Sequence, residues 1–308
     1  MKRLLATLAP VALLGALLAA QQPPLVPAVK EAALSGDFPL AQRILTAAKR
    51  QGTNPEVLEA ESWLGRAQLA RKNYAEAAKN AEEVRTECLA LLKNRKLDAE
   101  PHLPIALGAT IEVTGQSLAA QGSRDQAVAF LRAEVQRWKG TSITARIQKN
   151  LNLLTLEGKP APALEVAASI GKVKPQSLTA LKGHPVVLFF WAHWCSDCKA
   201  EALDMAKLAA TYGPKGLRIV APTQHYGYVA AGEEAQRPAE TKYIGTIWNQ
   251  YYPALQAAAV PLSENNFLAY GVSTTPTLVI VDKQGIVRLY NPGNLTYEQL
   301  AARVEKLL

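Results

Sequence analysis

Residues 25–155 are dominated by Ala, Leu, Glu, Lys, Arg and Gln, and no β-branched run of strand length occurs among them. This pattern predicts helices. Three similar fragments, at residues 35–41, 71–77 and 121–127, each contain a turn followed within a few residues by an alanine that opens a new helix. A small residue is needed there because two antiparallel helices approach closely. The pattern predicts about three helical hairpins, with Ala41, Ala77 and Ala127 at their contacts.

The spacings in the second hairpin resemble those of a tetratricopeptide repeat. Gly65 precedes Ala77 by the same interval as Gly115 precedes Ala127. The intervals between the three alanines are irregular, however, and an insert from Leu91 to Pro104 separates the second and third copies. The resemblance implies a degenerate helical-repeat (TPR-like) domain over residues 25–155. Such a domain offers a concave surface for a protein partner, and a scaffold or spacer is the alternative.

The hydrophobic pattern changes after residue 155. Residues 156–163 include Pro160 and Pro162, which cannot continue a helix, and this stretch predicts a Pro-rich linker. Farther on, the apolar run Pro185–Trp191 predicts a buried central strand, and residues 200–212 predict a helix. We therefore expect a second, α/β domain at residues 164–308.

The start of the chain has the features of a secretory signal. Lys2 and Arg3 precede an apolar run that ends at Ala20. This predicts a signal peptide at residues 1–20 and a periplasmic or otherwise extracytoplasmic location. The alternative is an uncleaved membrane anchor, although the run is slightly short for a span and contains Pro10. Only in that case do we expect contact with a membrane.

Composition narrows the function classes. The 308 residues are 49% hydrophobic and 19% charged, which excludes a disordered chain and suffices for two cores. The net charge of +8 is dispersed without a basic stripe, so we expect no nucleic-acid partner. Phosphate-binding glycine loops are absent, and the histidines show no ligand spacing. We expect no metal and no cofactor.

Cys195-Ser196-Asp197-Cys198 stands at the junction between the predicted strand and helix. Two cysteines three residues apart on a first helical turn can reach disulfide distance. The unpaired amides of the helix N-terminus favour a thiolate at Cys195. Such a thiolate can attack a substrate disulfide, and the second cysteine can then resolve the mixed disulfide. Half of a zinc site or a structural disulfide is the alternative. A zinc site normally needs two further soft ligands, however, and Cys88 is the only other cysteine in the chain.

The run Phe190–Cys198 resembles the F-W-A-x-W-C-x-x-C motif of the thioredoxin superfamily, and most closely its extracytoplasmic TlpA/ResA-like branch. Glu201 follows Cys198 by three residues, where that branch carries a glutamate. Residues 271–282, with Thr275-Pro276, resemble the cis-proline strand of the family. The resemblance covers residues 160–308. It implies a thioredoxin fold, with a central mixed sheet flanked by helices, after the N-terminal helical domain.

The resemblance also implies roles for individual residues. Cys195 would be the nucleophile and Cys198 the resolving thiol of a redox-active disulfide. Glu201 would move the proton, because Phe189 replaces the buried aspartate of cytoplasmic thioredoxins; a solvated surface glutamate is the alternative. Trp194, Thr275 and a cis Pro276 would bind the substrate.

The implied activity is reduction of disulfides in client proteins, with electrons supplied by an upstream redox protein. Thiol oxidation or isomerisation on the same fold remains an alternative. A client-binding module and a copper chaperone, both without turnover, are further alternatives.

Four further local features bear on the function. Asp197 stands where relatives usually have proline, and its charge opposes ionisation of the thiolate, which predicts a strongly reducing couple. His193 either stabilises the thiolate or only shapes the substrate rim. Cys88 is expected to be a buried, inert thiol. The segment between Ala221 and Val260 could contribute to the rim, while its aromatic residues are expected to pack on the sheet.

Overall fold

The structure is a computed structural model that describes residues 23–308. The predicted signal peptide at residues 1–20 lies outside the described residues. Within residues 23–308, no helix is both long enough and apolar enough to cross a membrane.

Helices occupy the N-terminal half, as the residue pattern predicted. Each helix packs on the next along the chain, and α1, α3, α5 and α7 also stack on one another in series. Side-chain caps fix two of the starts: Asp37 accepts the Leu40 N–H at 2.9 Å, and Asn54 accepts the Val57 N–H at 3.1 Å. The helices are α1 (Leu25–Ser35), α2 (Phe38–Lys49), α3 (Pro55–Ala70), α4 (Tyr74–Leu91), α5 (His102–Ala120), α6 (Arg124–Arg137) and α7 (Thr144–Thr155).

Small residues stand at the helix contacts, which confirms the sequence prediction. Ala41, Ala77 and Ala127 are fully buried. A Cβ on Gly115 would lie 2.9 Å from the side chain of Leu131, so the α5–α6 contact requires glycine there. The insert predicted at residues 91–104 ends earlier than expected, because α5 already begins at His102 and includes Pro104. Proline is tolerated in a first helical turn, where its missing N–H has no partner to lose.

The C-terminal half has a mixed four-stranded sheet with helices on both faces, in the order β3-β2-β5-β6. Strand β3 runs parallel to β2, while β5 is antiparallel to both β2 and β6. This is the thioredoxin-like fold that the resemblance implied. Its elements are β1 (Ser169–Ile170), β2 (Val186–Phe190), α8 (Ser196–Tyr212), β3 (Arg218–Val220), α9 (Arg237–Tyr251), β4 (Val260–Pro261), α10 (Glu264–Tyr270), β5 (Thr277–Val281), β6 (Val287–Pro292) and α11 (Tyr297–Val304).

Strands β2 and β5 are buried along their whole length, which explains why their sequences are continuously apolar instead of alternating. On one face, Phe189 packs in a core with residues of α8, α9 and α11. On the other face, Phe190 packs on Phe267 and Tyr270 of α10. The sheet is therefore a rigid platform whose central strand leads directly into the cysteine pair.

The two halves meet along a seam between α7 and α10. The Asn152 side-chain amide donates to the Tyr270 carbonyl at 2.9 Å, and a Cβ on Gly271 would collide with the backbone nitrogen of Lys149. Helix α7 ends before the prolines, as predicted. The segment that follows is not a free tether, because its Gly158 and Ala161 N–H groups donate to the carbonyls of Val287 and Gly285.

Candidate active site

Helix α8 begins at the cysteine pair. Cys195 is the N-cap residue, and its Sγ accepts the Cys198 N–H at 3.0 Å. The two sulfurs form a disulfide, with the Cα atoms 5.3 Å apart. A sulfur at an N-cap lies next to unpaired amides and the positive end of the helix dipole, and both stabilise a thiolate. The geometry is therefore that of a redox-active pair at a helix start.

Thr275 lies beside this pair, just before the neighbouring strand β5. The Thr275–Pro276 peptide bond is cis, and the Thr275 carbonyl oxygen lies 3.4 Å from the Cys195 Sγ. The contact arises because β5, which follows Pro276, pairs with β2, which precedes Cys195. Within residues 23–308, neither the N–H nor the C=O of Thr275 has a backbone partner. These groups can pair with an extended polypeptide that lies beside the sulfur.

The two cysteines are almost completely buried. Cys195 is 3% exposed and Cys198 is fully buried, whereas Trp194 is 48% exposed. Ser196 and Asp197 between the cysteines are also exposed. A substrate can thus reach only the first sulfur of the pair, past the indole of Trp194.

Glu201 follows Cys198 by three residues and lies on the same side of α8. It is 4% exposed, and its Oε1 accepts the Leu295 N–H at 3.4 Å. Burial raises the pKa of Glu201 to about 7, and the negative charge of Asp204 acts in the same direction. A carboxyl group with this pKa can accept and release a proton near neutral pH.

Comparison with known proteins supports the same chemistry. The AhpC/TSA family model matches residues 158–225. Thiol:disulfide interchange protein DsbE of Yersinia pestis is 30% identical over 46% of this chain and 66% of that protein. Thiol-disulfide oxidoreductase ResA of Bacillus thuringiensis (strain Al Hakam) is 31% identical over 49% of this chain and 78% of that protein.

The chain belongs to the family of ResA-like thiol–disulfide oxidoreductases. Among solved structures, the thioredoxin family thiol:disulfide interchange protein of Chlorobium tepidum TLS superposes with a TM-score of 0.38 and 20% identity, over 49% of this chain and 97% of that one.

In this oxidoreductase, His193 is buried beside Glu240 of α9, with its Nε2 3.5 Å from the Glu240 Oε1. Burial lowers the pKa of His193, and the neighbouring carboxylate opposes that shift. The imidazole contacts three aromatic rings of the segment between residues 221 and 260, with centroids 5.3–5.5 Å away: Tyr226, Tyr228 and Tyr243. His193 therefore packs against this segment.

Glu240 is a residue that sequence analysis missed. It is fully buried, and its two carboxylate oxygens accept the N–H groups of Tyr226 and Gly227 at 2.5 and 3.0 Å. These bonds hold the Tyr226 loop against the active site, where the Tyr226 ring contacts Trp194 at 5.5 Å. No sequence signal marked this glutamate, because its role depends on how α9 folds back over the loop.

Trp248 of α9 and Tyr252, which follows the helix, have the packing role that the sequence predicted, whereas Tyr251 is 40% exposed. The ring centroid of Trp248 lies 5.3 Å from that of Trp191, and Trp248 stacks on Tyr252 with the centroids 4.8 Å apart. The segment between residues 221 and 260 thus packs on the core through Trp248 and places the Tyr226 loop at the active site.

Cys88 is fully buried in α4, and burial raises the pKa of its thiol to about 12. Thiolate formation there is strongly disfavoured at neutral pH, in agreement with the predicted inert thiol. Across residues 23–308, no group of three or more His, Cys, Asp or Glu side chains is arranged to hold a metal ion.

Proposed function

We propose that this oxidoreductase reduces disulfides of client proteins outside the cytoplasm. The observation that carries the proposal is the position of the Cys195 sulfur, at the N-cap of α8 and 3.4 Å from the Thr275 carbonyl. One neighbour favours a thiolate and the other offers backbone groups to an extended client segment. A client disulfide can thus be held beside the atom that attacks it.

The reaction starts from the reduced dithiol. The Cys195 thiolate attacks one client sulfur, the client S–S bond breaks, and the departing client thiolate takes a proton. Cys198 then loses its proton to Glu201 and attacks the Cys195 sulfur of the mixed disulfide. The second client sulfur leaves as a thiolate and takes up a proton, and the Cys195–Cys198 disulfide remains. Two electrons have moved from the enzyme to the client, so the dithiol of an upstream redox protein must restore the enzyme.

Trp194, Thr275 and Pro276 hold the client in this scheme. The Thr275 backbone pairs with the client main chain, and the half-exposed Trp194 ring gives an apolar surface at the entrance. Asp197 supports the reducing direction, because its negative charge disfavours the thiolate and hence the reduced form of the pair.

The remaining assignments rest on sequence patterns. Residues 1–20 act as a signal peptide that places the mature chain in the periplasm or an equivalent compartment. Residues 25–155 act as a TPR-like domain for a protein partner. The serial stacking of α1, α3, α5 and α7 supports a repeat arrangement.

Turnover of insulin disulfides with dithiothreitol as the electron source tests the activity. Cys195→Ser should abolish turnover, because the attacking sulfur is lost. Cys88→Ser is the matched control and should leave turnover unchanged, since that thiol is buried in the core of the helical half. Equal turnover by wild type and Cys195→Ser would show that the protein binds clients without reducing them. A reduction potential as oxidising as about −120 mV would overturn the reducing direction.

A further inference from the structure

The insert that breaks the repeat spacing lines one side of a groove near the active site. This groove has a volume of about 640 Å³ and is shared by the two halves of the molecule. The helical half contributes residues of the insert, the start of α5 and α7, and the catalytic half contributes Ser273. Its lining includes Asp98, Glu100, Pro104, Ile105, Arg146 and Ser273.

The groove is close to the reacting sulfur. Ser273 lies two residues before Thr275, whose carbonyl is 3.4 Å from the Cys195 Sγ. Two residues of chain span at most about 7 Å. A client segment that pairs with Thr275 and runs towards Ser273 would therefore meet the edge of the groove within two to four residues of its own cysteine.

The two walls of the groove are fixed relative to one another. Arg146, on one wall, belongs to α7, and α7 packs on α10 immediately before the Ser273 loop. The Asn152 side chain bonds to the Tyr270 carbonyl, and Gly271 lies against the backbone of Lys149. Close backbone contacts thus hold the helical half beside the loop that carries Ser273 and leads to Thr275.

The charged residues of the groove are already bonded within the protein. Glu100 accepts the His102 and Leu103 N–H groups at 3.0 and 2.7 Å. Arg146 donates to Glu112 at 3.1 Å and to the Ile105 carbonyl at 3.2 Å.

Asp98 accepts the Ser142 hydroxyl. The uncharged lining on this side is mainly apolar and includes Ala99, Pro101, Pro104 and Ile105, of which Ile105 is 38% exposed. The chemistry of the groove therefore matches an apolar side chain.

We propose that this groove receives an apolar residue of the client polypeptide, two to four positions from the client cysteine that reacts with Cys195. The helical half is then part of the client-binding site, and the insert at residues 91–104 is a specificity element. This assignment rests on the proposed reductase function, because it needs a client segment beside Thr275.

Photo-crosslinking of a trapped peptide tests the proposal. Two peptides of Gly and Ser carry a central cysteine, activated as its mixed disulfide with thionitrobenzoate, and p-benzoylphenylalanine three residues before or after it. In the reduced Cys198→Ser variant, the Cys195 thiolate attacks the peptide sulfur, the peptide–thionitrobenzoate bond breaks, and thionitrobenzoate leaves. The peptide then stays on Cys195. After irradiation, mass spectrometry should find label within residues 98–105 for at least one peptide.

The outcomes separate the two proposals. A mixed disulfide with label confined to residues 164–308 for both peptides would overturn the groove and leave the reductase intact. No mixed disulfide with either peptide would overturn both. The Cys195→Ser variant should take up no peptide.

Kinetics give a second measurement. With a peptide that carries leucine in place of the photoreactive residue, Ile105→Glu should lower kcat/KM about tenfold, while the rate with the small disulfide 5,5′-dithiobis(2-nitrobenzoate) stays unchanged. Leu40→Glu, at a residue of similar exposure in α2, is the matched control and should change neither rate. An equal loss with both substrates, or no loss with the peptide, would refute a client groove.

Discussion

Replacement of Glu201 by glutamine should stabilise the oxidised protein at alkaline pH. Burial raises the pKa of this carboxyl from an ordinary 4.5 to about 7, so the folded state binds its proton more tightly than the unfolded state does. Between these two values, the wild-type free energy of unfolding falls as the pH rises. Glutamine keeps the size of the side chain and removes the buried charge.

The size of the effect follows from proton linkage. With these two pKa values, the wild type loses about 1.4 kcal/mol of stability through this group by pH 5.5 and about 3.4 kcal/mol by pH 8.5. The advantage of Glu201→Gln over wild type should therefore grow by about 2 kcal/mol between these two pH values. Below pH 4.5 the carboxyl is protonated in both states, and the advantage should vanish.

Urea unfolding of the oxidised protein at pH 4, 5.5 and 8.5 measures this difference, because the disulfide-bonded cysteines do not titrate there. The exposed Glu233 provides a control, since Glu233→Gln should show no growing advantage. An advantage of Glu201→Gln that stays constant from pH 4 to 8.5 would refute a buried carboxyl with a raised pKa.

The same substitution should lower activity, because Cys198 then lacks a proton acceptor. We expect release of the trapped client to slow at neutral pH, and the dependence of that step on a group with a pKa near 7 to disappear. Stability and activity should thus change in opposite directions at pH 8.5, as expected where a buried charge is retained for function.

Three further predictions concern other positions. Gly271→Ala should lower the free energy of unfolding by about 3 kcal/mol or more, because the new Cβ meets the Lys149 backbone at a positive φ. The control Gly232→Ala, at a positive φ with open space around it, should cost only about 1 kcal/mol. Equal losses would contradict close packing between α7 and the residue after α10. Asp197→Asn should raise the reduction potential by about 20 mV against glutathione, and a lower potential would contradict the charge argument. Glu240→Gln should lower the free energy of unfolding in urea by about 2–3 kcal/mol, because one of the two buried N–H groups loses its acceptor; an unchanged stability would rule out the anchoring role.

The elements around the cysteine pair were predictable because their signals are local. A continuous apolar run of five to seven residues marks a buried strand, and Cys195 and Cys198 mark the helix start that follows it. The small residues Ala41, Ala77 and Ala127 likewise revealed helix contacts that the structure confirms. The roles of Glu201 and Thr275 came from the family resemblance and remain predictions, although the geometry agrees with both.

His193 shows the limit of local patterns. Its position two residues before Cys195 suggested an effect on the thiolate or on the substrate rim. It did not show that the fold buries His193 among three tyrosines and beside Glu240, which is far away in sequence. A glutamate on a polar helix normally faces water, and only the packing of α9 over the Tyr226 loop reverses that expectation.

The sequence by itself determined the chemistry of this protein: the dithiol at a helix start, the family of oxidoreductases, and the division between helical and α/β residues. Those properties depend on residue type and short spacing, which the chain carries locally. Only the tertiary structure decided that Thr275 meets Cys195 and that Glu240 anchors the loop at Trp194. It also decided that the insert at residues 91–104 shares a groove with Ser273. Each of these contacts joins residues far apart in the chain, and it exists because strand pairing and helix packing bury apolar surface in one arrangement.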